Sequence, residues 1–486
     1  MILFVKWGEI HHMTTIDLKK IRPAHLVGLI AVGGLIILMG WLSQFVQATY
    51  IIGALAGIIL SLIILPNPWY GMLLIIFFLP FERLGSYDIA GVTVRPSQIT
   101  ALLTMISTIT YYLRQKSFPF PKNPIVWPLL LYFFVGVVGL LHAPNMQRSV
   151  MVLSFTIFTC SIALLIPFIV KKNEHFEQLN KYLFSSFLIV TVFGIYQFLG
   201  DLVGLPPALT GLRELYTKDV LGFPRVQSTA LEPLYFANYL LIPLSLLISF
   251  FLAQKNVLAP WKMLGLIGIG LVNLLLTVAR GGYIAFAVSF TVLIAYYFFE
   301  KKLFTPRNLI IAGLGIFIAV TVAWQAVDVS VVTDEFAGHV TNLFEGASYN
   351  ERVQMFEIAQ RAWQEHPWVG IGPGSFGPYE NWHPEIVPPH GWRIVNNIYL
   401  ETLAETGILG LLLLLSVFTI VIIRSIKALT IAKDPLHQAM LIGLLAAFFG
   451  ILVQYNTFSI LYIVHVWLTI GLLIALQNAV LSPSNK

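Results

Sequence analysis

Three arginines stand where this otherwise apolar chain becomes polar. Arg225 precedes an apolar run, Arg280 lies beside Gly281 between two apolar runs, and Arg352 lies in a long polar segment. A guanidinium is planar, permanently charged and suited to bidentate binding of phosphate. A neighbouring glycine lets the backbone and the guanidinium approach a ligand closely. We therefore predict an anion shared by Arg225 and Arg280; the alternative for Arg280 is a side chain that reaches toward lipid headgroups. Arg352 is either a ligand of an anion or a solvated salt-bridge partner.

Two polar residues follow Arg225 at the start of the next apolar run. Glu232 precedes Pro233, and Asn238 comes six residues after Glu232. An acidic residue and a proline both suit the first turn of a helix, so a well-capped helix start is one interpretation. Ionisable groups inside membrane helices are costly and mostly functional. The other interpretation is that Glu232 or Asn238 orients a hydroxyl beside the anion.

The polar segment from about Asp328 to Asn397 contains the run Gly370-Ile-Gly-Pro-Gly-Ser-Phe-Gly377. This run matches the G-x-G-x-x-G pattern of dinucleotide-binding proteins, but it does not follow a strand of a βαβ unit. We predict instead that Gly372 and Gly374 form a turn that packs against the membrane surface or cradles an oxyanion.

An amphipathic helix is predicted just before the glycine run. Its apolar face would consist of residues at helical spacing, and Pro367 would stop it. The predicted apolar face is Val353, Phe356, Ala359, Ala362 and Trp363.

Two histidines, His383 and His390, follow the glycine run. Histidine titrates near neutral pH, so either one is a candidate general base. The nearby Trp382 and Trp392 suit a membrane interface or stacking on sugar rings. No spacing of His, Cys, Asp or Glu in this segment indicates a metal site, and we predict neither a metal nor a cofactor.

The polar segment ends in Asn396, Asn397 and Tyr399, at the start of another apolar run. Glu401 and Glu405 follow, four residues apart and therefore on one face of a helix. Two carboxylates in a membrane span suit proton-coupled transport. They suit equally well a role in balancing the helix N-terminus and the nearby arginines.

The composition places these residues in a membrane protein. The chain is 57% hydrophobic and 11% charged, and its one cysteine, Cys160, excludes a disulfide framework. Apolar runs of about 20 residues recur along it, as in membrane-spanning helices. We predict an all-α polytopic membrane protein of 12–14 helices, with residues 1–486 as a single domain. The fourteen runs begin near His25, Ala48, Trp69, Pro96, Ile125, Ser149, Lys181, Leu231, Trp261, Gly282, Asn308, Ile398, His437 and Phe458.

The distribution of Lys and Arg predicts the orientation. Most basic residues fall in alternate short loops, which the positive-inside rule assigns to the cytoplasm. Both termini are then cytoplasmic, and residues 327–397 form one large extracytoplasmic loop that contains the amphipathic helix. The net charge of +6 follows from these short loops, so no nucleic-acid partner is indicated. We expect a cytoplasmic (inner) membrane protein in contact with lipids.

The order of these motifs resembles that of the bacterial O-antigen ligase and polymerase superfamily. Arg-x-x-Ser-Thr precedes a span, Ala-Arg-Gly-Gly follows, and the large loop contains His-Pro-Trp-Val-Gly-Ile-Gly-Pro-Gly-Ser-Phe. The last elements of the pattern are Asn-x-Tyr-Leu and Glu-x-Gly-Ile-Leu-Gly. The resemblance covers about residues 220–415 and does not separate ligases from polymerases.

The resemblance implies a metal-independent glycosyltransferase. Such an enzyme passes a glycan from undecaprenyl diphosphate to a hydroxyl of a glycan, lipid or protein acceptor at the outer membrane face. Arg225 and Arg280 would hold the diphosphate, and Arg352 matches a loop arginine of similar role. Asn397 and Tyr399 match the Asn-x-Tyr-Leu positions.

The chain departs from the family at Asn396, where ligases usually carry a histidine proposed to be catalytic. An amide does not accept a proton, so the base is His390, His383 or Glu232, or none is needed. Two other functions stay open: an anion or proton-coupled transporter, and a non-catalytic partner in glycan assembly. The absence of a convincing internal repeat counts against the transporter.

Overall fold

The structure is a computed structural model, which describes residues 48–83, 86–89, 92–116, 122–217, 224–255, 257–299, 347–389 and 391–482. Contacts divide the chain into two compact units, Met1–Ser61 and Leu62–Lys486. Residues 48–61 are the described part of the first unit, and every contact discussed below lies within the second.

Helices dominate the described residues, as the composition predicts. Twelve of the fourteen predicted runs coincide with helices, and the runs near His25 and Asn308 lie outside the described residues. The helices are α1 (Ala48–Ile64), α2 (Pro68–Phe78), α3 (Pro96–Arg114), α4 (Val126–Gly139), α5 (Met146–Ile169), α6 (Asn173–Leu202), α7 (Pro207–Thr210), α8 (Pro233–Leu252), α9 (Pro260–Leu276), α10 (Arg280–Phe299), α11 (Ala347–Glu365), α12 (Phe376–Glu380), α13 (Ile398–Ile431), α14 (Pro435–Gln454) and α15 (Val464–Leu481).

Boundaries differ most from the prediction at α6 and α15. Helix α6 begins at Asn173 rather than near Lys181, because its polar first turns continue the helix beyond the apolar stretch. Helix α15 begins at Val464 rather than near Phe458, because the preceding apolar residues form an irregular connection.

Seven of the described helices are long and apolar enough to cross a membrane: α5, α6, α8, α10, α13, α14 and α15. Four shorter apolar helices, of 10–17 residues, accompany them. A hydrocarbon core about 30 Å thick needs about 20 helical residues. The chain is therefore a multi-pass helical protein, while the count of fourteen spans, the single-domain arrangement and the orientation stay predictions.

One antiparallel hairpin, β1 (Tyr87–Ile89) and β2 (Val92–Val94), connects α2 to α3. Tyr87 pairs with Val94. This hairpin was not predicted from the sequence. A strand is indicated by alternating apolar and polar residues over about four to eight positions, and these strands have only three residues. The hairpin ends directly before Arg95, and Arg95 directly precedes α3.

The centre of the bundle consists of α8, α14 and α15, which are the most deeply buried of the candidate spans. Gly443 lets the backbone of α14 approach α8 at Leu246. Gly450, also on α14, lets this helix pack closely against α10. Close approach through small residues is a common way to associate helices in a membrane, where hydrophobic burial between helices contributes little.

The predicted amphipathic helix is present as α11, and it ends at Glu365, before Pro367. Its buried face differs in part from the prediction: Val353 is exposed, whereas Met355 and Ile358 are buried. The helix shares a small apolar core with the glycine run and the first turns of α13. That core consists of Met355, Ile358, Ala359, Ala362, Ile371, Phe376, Val395 and Ala404.

Helix α13 is broken at Gly407, where the backbone adopts φ 65° and ψ −171°. The segment 367–372 joins the two halves by hydrogen bonds. The amides of Ile408 and Leu409 donate to the carbonyls of Pro367 and Trp368, at 2.9 and 3.3 Å. The carbonyls of Ala404 and Glu405 accept from the amides of Ile371 and Gly372, at 3.0 and 2.9 Å.

These four hydrogen bonds satisfy the groups that the break exposes. In an uninterrupted helix, the amides of Ile408 and Leu409 would bond to the carbonyls of Ala404 and Glu405. The loop supplies a substitute partner for each, so the break leaves none of these four groups unpaired. The segment around Gly370 and the helix break at Gly407 are therefore held together by these four hydrogen bonds, and we call this pairing the joint.

Candidate active site

The structure brings together the three arginines that the sequence analysis singled out. Arg280 is the first residue of α10, and it lies within electrostatic reach of Arg352 of α11 and of Arg225 in the segment before α8. These residues come from three segments of the chain and are all partly buried. Like charges repel, so such a cluster indicates a place where negative charge binds.

Backbone contacts fix the position of Arg225. Its amide donates to the carbonyl of Tyr216 at 2.9 Å, and the amide of Val226 donates to the carbonyl of Leu276 at 2.8 Å. Its guanidinium lies 5.7 Å from the centre of the Tyr216 ring, and Nε donates to the carbonyl of Thr277 at 3.4 Å. The segment is therefore attached to the end of α9, directly before Arg280.

The two glycines after Arg280 serve close packing within the protein. A Cβ at Gly281 would clash with the side chain of Thr457, and a Cβ at Gly282 would lie 2.6 Å from the Cβ of Ala237. Gly281 thus lets α10 approach the connection between α14 and α15. The predicted approach of Gly281 to a ligand stays a prediction.

Glu232 lies beside the arginine cluster, directly before the first turn of α8. Burial raises the pKa of its carboxyl group, and the charges of Arg213 and Arg225 oppose that rise. A second carboxylate, Glu82, lies within electrostatic reach and accepts from the amide of Leu231 at 3.2 Å. Burial also raises the pKa of Glu82, and Arg95 opposes this.

Glu82, Arg95 and Arg213 were missed as site candidates. All three lie in segments that the charge distribution predicts to be extracytoplasmic, close to predicted spans. That placement was the available signal, but these residues carry no motif of their own. Proximity to Glu232 only becomes visible in the folded chain.

The glycine run holds a carboxylate of the protein itself. Gly372 and Gly374 have φ of 96° and 68°, a region that favours glycine. The amides of Gly374 and Phe376 donate to the two carboxylate oxygens of Glu405, at 2.7 and 3.1 Å. Arg148 of α5 donates from Nε to the carbonyl of Gly374 at 2.8 Å. The oxyanion in this turn is therefore the side chain of Glu405.

Asn396 adopts φ of 58°, and its backbone amide donates to Oγ of Ser459 at 3.1 Å. Ser459 in turn donates to Oε2 of Glu401 at 2.6 Å. The same Glu401 oxygen accepts from the amide of Val395 at 3.0 Å. A carboxylate, a hydroxyl and the Asn396 backbone thus form one hydrogen-bonded chain.

A cavity of about 80 Å³ lies next to this chain. Arg148, Glu401, Glu405, Ser459 and Tyr462 contribute polar atoms to its wall. A wider groove of about 650 Å³ runs alongside, lined by polar residues and two tryptophans. The lining of the groove is Glu351, Met355, Gly377, Glu380, Asn381, Trp382, Pro388, Gly391, Trp392, Arg393, Ile394 and Asn396.

Tyr462 connects the cavity to the arginine side. It lies within electrostatic reach of Arg148 and Glu401, and also of Arg95. The charge of Arg95 acts on the carboxyl group of Glu82, and the charge of Glu82 acts on that of Glu232. Polar groups therefore extend from the cavity toward the arginine cluster. Arg148, Ser459 and Tyr462 were not among the predicted site residues.

Three predicted substrate-binding residues make bonds within the protein. Asn238 is fully buried: its Nδ2 donates to Gln454 at 2.8 Å, and its Oδ1 lies 2.6 Å from Nε2 of His465. Asn397 caps α13 by accepting from the amides of Tyr399 and Leu400, at 3.0 and 3.1 Å. Tyr399 donates from its hydroxyl to the carbonyl of Leu452 at 2.7 Å.

His383 does not join either group of polar residues. His383 is exposed, with Nδ1 at 3.7 Å from Glu385, and it lines neither the cavity nor the groove. His390 lies outside the described residues. Among the residues that are described, no three His, Cys, Asp or Glu side chains are grouped as a metal site.

These observations define a class of protein: a multi-pass helical protein with an arginine cluster and an adjoining polar cavity beneath a structured loop. A family model described as O-Antigen ligase matches residues 265–415. The resemblance to the O-antigen ligase and polymerase family is therefore confirmed. The match includes Arg280, Arg352, the glycine run and Asn396 to Tyr399; Arg225, Glu232 and Asn238 precede it. No curated protein matches the chain.

Proposed function

We propose that this chain transfers a glycan from undecaprenyl diphosphate to an acceptor hydroxyl, at the outer face of the cytoplasmic membrane. The observation that supports it most directly is the cluster of Arg225, Arg280 and Arg352. Three guanidinium groups in a partly dehydrated place suit a diphosphate, which carries several negative charges.

The chemistry needs this charge. The acceptor oxygen bonds to the anomeric carbon of the glycan, and the bond from that carbon to the diphosphate oxygen breaks. The electron pair stays on the diphosphate, whose negative charge therefore grows in the transition state. Arginines that are already in place stabilise that growing charge more than the ground state, which lowers the barrier.

The groove suits the saccharide acceptor. Trp382 is 96% exposed, and Trp392 is fixed by the Arg148 guanidinium, 5.5 Å from its ring. Exposed tryptophan rings stack on sugars, and the carboxylates and amides of the groove suit hydroxyl groups. We assign the acceptor to the groove and the diphosphate to the arginines, with the described residues 347–389 and 391–397 as a wall on the outer side.

Reconstituted transfer tests the proposal. The purified protein in liposomes receives an undecaprenyl-diphosphate oligosaccharide and a saccharide acceptor, without metal or nucleotide, and the transferred glycan is measured. We expect Arg225→Ala and Arg280→Ala each to lower the rate by at least about 100-fold. Arg352→Ala should weaken transfer as well, and Trp382→Ala should raise the acceptor KM.

Arg361→Ala is the matched control. Arg361 lies on α11 like Arg352, but it is exposed and half a helical circumference away. The Arg361→Ala variant should transfer the glycan at the wild-type rate. Full activity of both Arg225→Ala and Arg280→Ala would refute the diphosphate site, and transfer by the purified wild-type protein alone would eliminate the non-catalytic alternative.

Transport is the second candidate, because two carboxylates, Glu401 and Glu405, lie in a candidate span. The backbone amides of Gly374 and Phe376 already occupy Glu405, which disfavours a carrier role for it. Proton or anion flux in liposomes free of lipid-linked glycan would favour transport over transfer.

A further inference from the structure

The position of Asn396 raises the question of what accepts the proton of the acceptor hydroxyl. The resembled ligases carry a histidine there, and an amide does not bind a proton at neutral pH. In this chain the Asn396 backbone instead touches Ser459, whose hydroxyl donates to Glu401 at 2.6 Å. A carboxylate is a proton acceptor, and a hydroxyl beside it passes protons to it.

The segment that contains Ser459 also touches the arginine side. Thr457 packs against Gly281, which directly follows Arg280. The carbonyl of Tyr455 accepts from the amide of Ile398 at 2.9 Å, which attaches the same segment to the start of α13. Three residues of chain, 457–459, therefore link the helix that begins at Arg280 to Glu401.

The second carboxylate of the cavity is occupied differently. Both oxygens of Glu405 accept backbone amides of the glycine run, so its bonds serve the loop. The bond from Ser459 connects Glu401 to a group that can relay a proton, because a hydroxyl can accept one proton while it donates its own and a backbone amide does not do so. Arg148 lies in the wall of the same cavity.

We propose that Ser459 and Glu401 together accept the proton of the acceptor hydroxyl, in place of the histidine that Asn396 replaces. The acceptor O–H donates to Oγ of Ser459 as its oxygen bonds to the anomeric carbon. Ser459 passes its own proton to Oε2 of Glu401, and the bond to the diphosphate breaks with its electrons on the leaving group. Atoms and charge balance: one proton moves to Glu401, and the diphosphate departs with the negative charge. The inference rests on the proposed transfer function.

The test compares the transfer rate of Glu401→Gln with that of the double variant that also carries Asn396→His. Glu401→Gln should lower the transfer rate by at least about 100-fold, the usual range of general-base catalysis, with binding of the undecaprenyl-diphosphate donor within threefold of wild type. Adding Asn396→His to Glu401→Gln should recover at least tenfold of that loss, because an imidazole then supplies the base locally. Glu405→Gln is the matched control, and Asn396→His should not rescue any defect it has.

Ser459 provides a second, independent pair of variants. Ser459→Ala should lower the rate about as far as Glu401→Gln, and Ser459→Thr, which keeps the hydroxyl, should retain most of it. This pair decides the outcome if Glu401→Gln does not fold. A Glu401→Gln protein that transfers at the wild-type rate, or a folded double variant without recovery, would overturn the inference. Absence of transfer by the wild type would instead refute the proposed function itself.

Discussion

The backbone amide of Gly374 donates a hydrogen bond of 2.7 Å to the carboxylate of Glu405, which lies 31 residues further along the chain. Glu405 precedes the break of α13 at Gly407 by two residues, and its carbonyl accepts from Gly372. The side chain and the backbone of one residue therefore both hold the glycine run. This relationship makes the loop and the broken helix a single rigid support for the residues around the cavity.

Glu405→Ala should loosen the glycine run. The substitution removes two hydrogen bonds and leaves the amides of Gly374 and Phe376 without their acceptor. A buried amide without an acceptor costs roughly 1–3 kcal/mol. Hydrogen exchange of residues 370–377 should become faster, and limited proteolysis should cut there. Glu357→Ala, at an exposed position of α11, should leave both unchanged. Equal exchange rates in the two variants would contradict the role of Glu405.

Gly407→Ala should destabilise the protein strongly. A Cβ there would clash with the Trp368 backbone, and φ of 65° is unfavourable for alanine. The joint would have to open, so unfolding in detergent should occur at a lower temperature and with less of the protein expressed in folded form. Gly265→Ala on α9 is the control, because a Cβ there meets nothing within 4 Å. It should be neutral or stabilising; a similar loss in both variants would rule out a special role for the joint.

Asn238→Ala separates a core role from substrate binding. Its amide connects His465 to Gln454 inside the bundle, and removing it leaves two buried polar side chains with lost partners. The expected cost is roughly 1–3 kcal/mol per unsatisfied group, seen as a lower unfolding temperature. The donor KM of the folded fraction should stay unchanged, and a raised KM at unchanged stability would support the substrate-binding prediction instead.

Ser245→Ala is the control for Asn238. Ser245 lies two turns further along α8, and its buried hydroxyl has no hydrogen-bond partner among the described residues. Removing a buried polar group that makes no bond should be neutral or stabilising.

Stability should depend on pH through Glu232. Burial raises the pKa of its carboxyl above the usual 4.5, so the folded protein binds this proton more tightly than the unfolded chain. Its contribution to stability is therefore present below pH 4.5 and lost as pH rises through the folded-state pKa. Compared with Glu232→Gln, the wild type should become progressively less stable over this range. Thermal unfolding of both proteins measures the difference, and parallel curves would contradict it.

The sequence was sufficient for features that are local along the chain. Apolar runs predicted twelve helices that the structure contains, because a membrane core imposes a length and a composition on each span. The helix α11 was also predicted, but its face was partly wrong at Val353. An exposed apolar residue and a buried one look alike in a periodic pattern when the packing partner is unknown.

Residues whose role depends on a contact with a distant part of the chain were harder to predict from the sequence. Gly372 and Gly374 were recognised as a turn able to cradle an oxyanion, and that turn holds Glu405. Arg148 and Ser459 carry no motif and were missed; only their contacts with Gly374 and Glu401 indicate a role. A backbone turn that binds a carboxylate has the same sequence whether the carboxylate belongs to a ligand or to the protein.

By itself, the sequence determined that this is a multi-pass helical protein with arginines next to apolar runs and with the motifs of the O-antigen ligase family. Hydropathy and motif order are properties of neighbouring residues, so they can be read without a fold. Only the tertiary structure decided that Arg225, Arg280 and Arg352 meet, that Asn238 is a core residue, and that Glu401 reaches Asn396 through Ser459. Those pairings join residues that are about 50 to more than 200 positions apart, and helix packing, rather than local sequence, sets which of them come into contact.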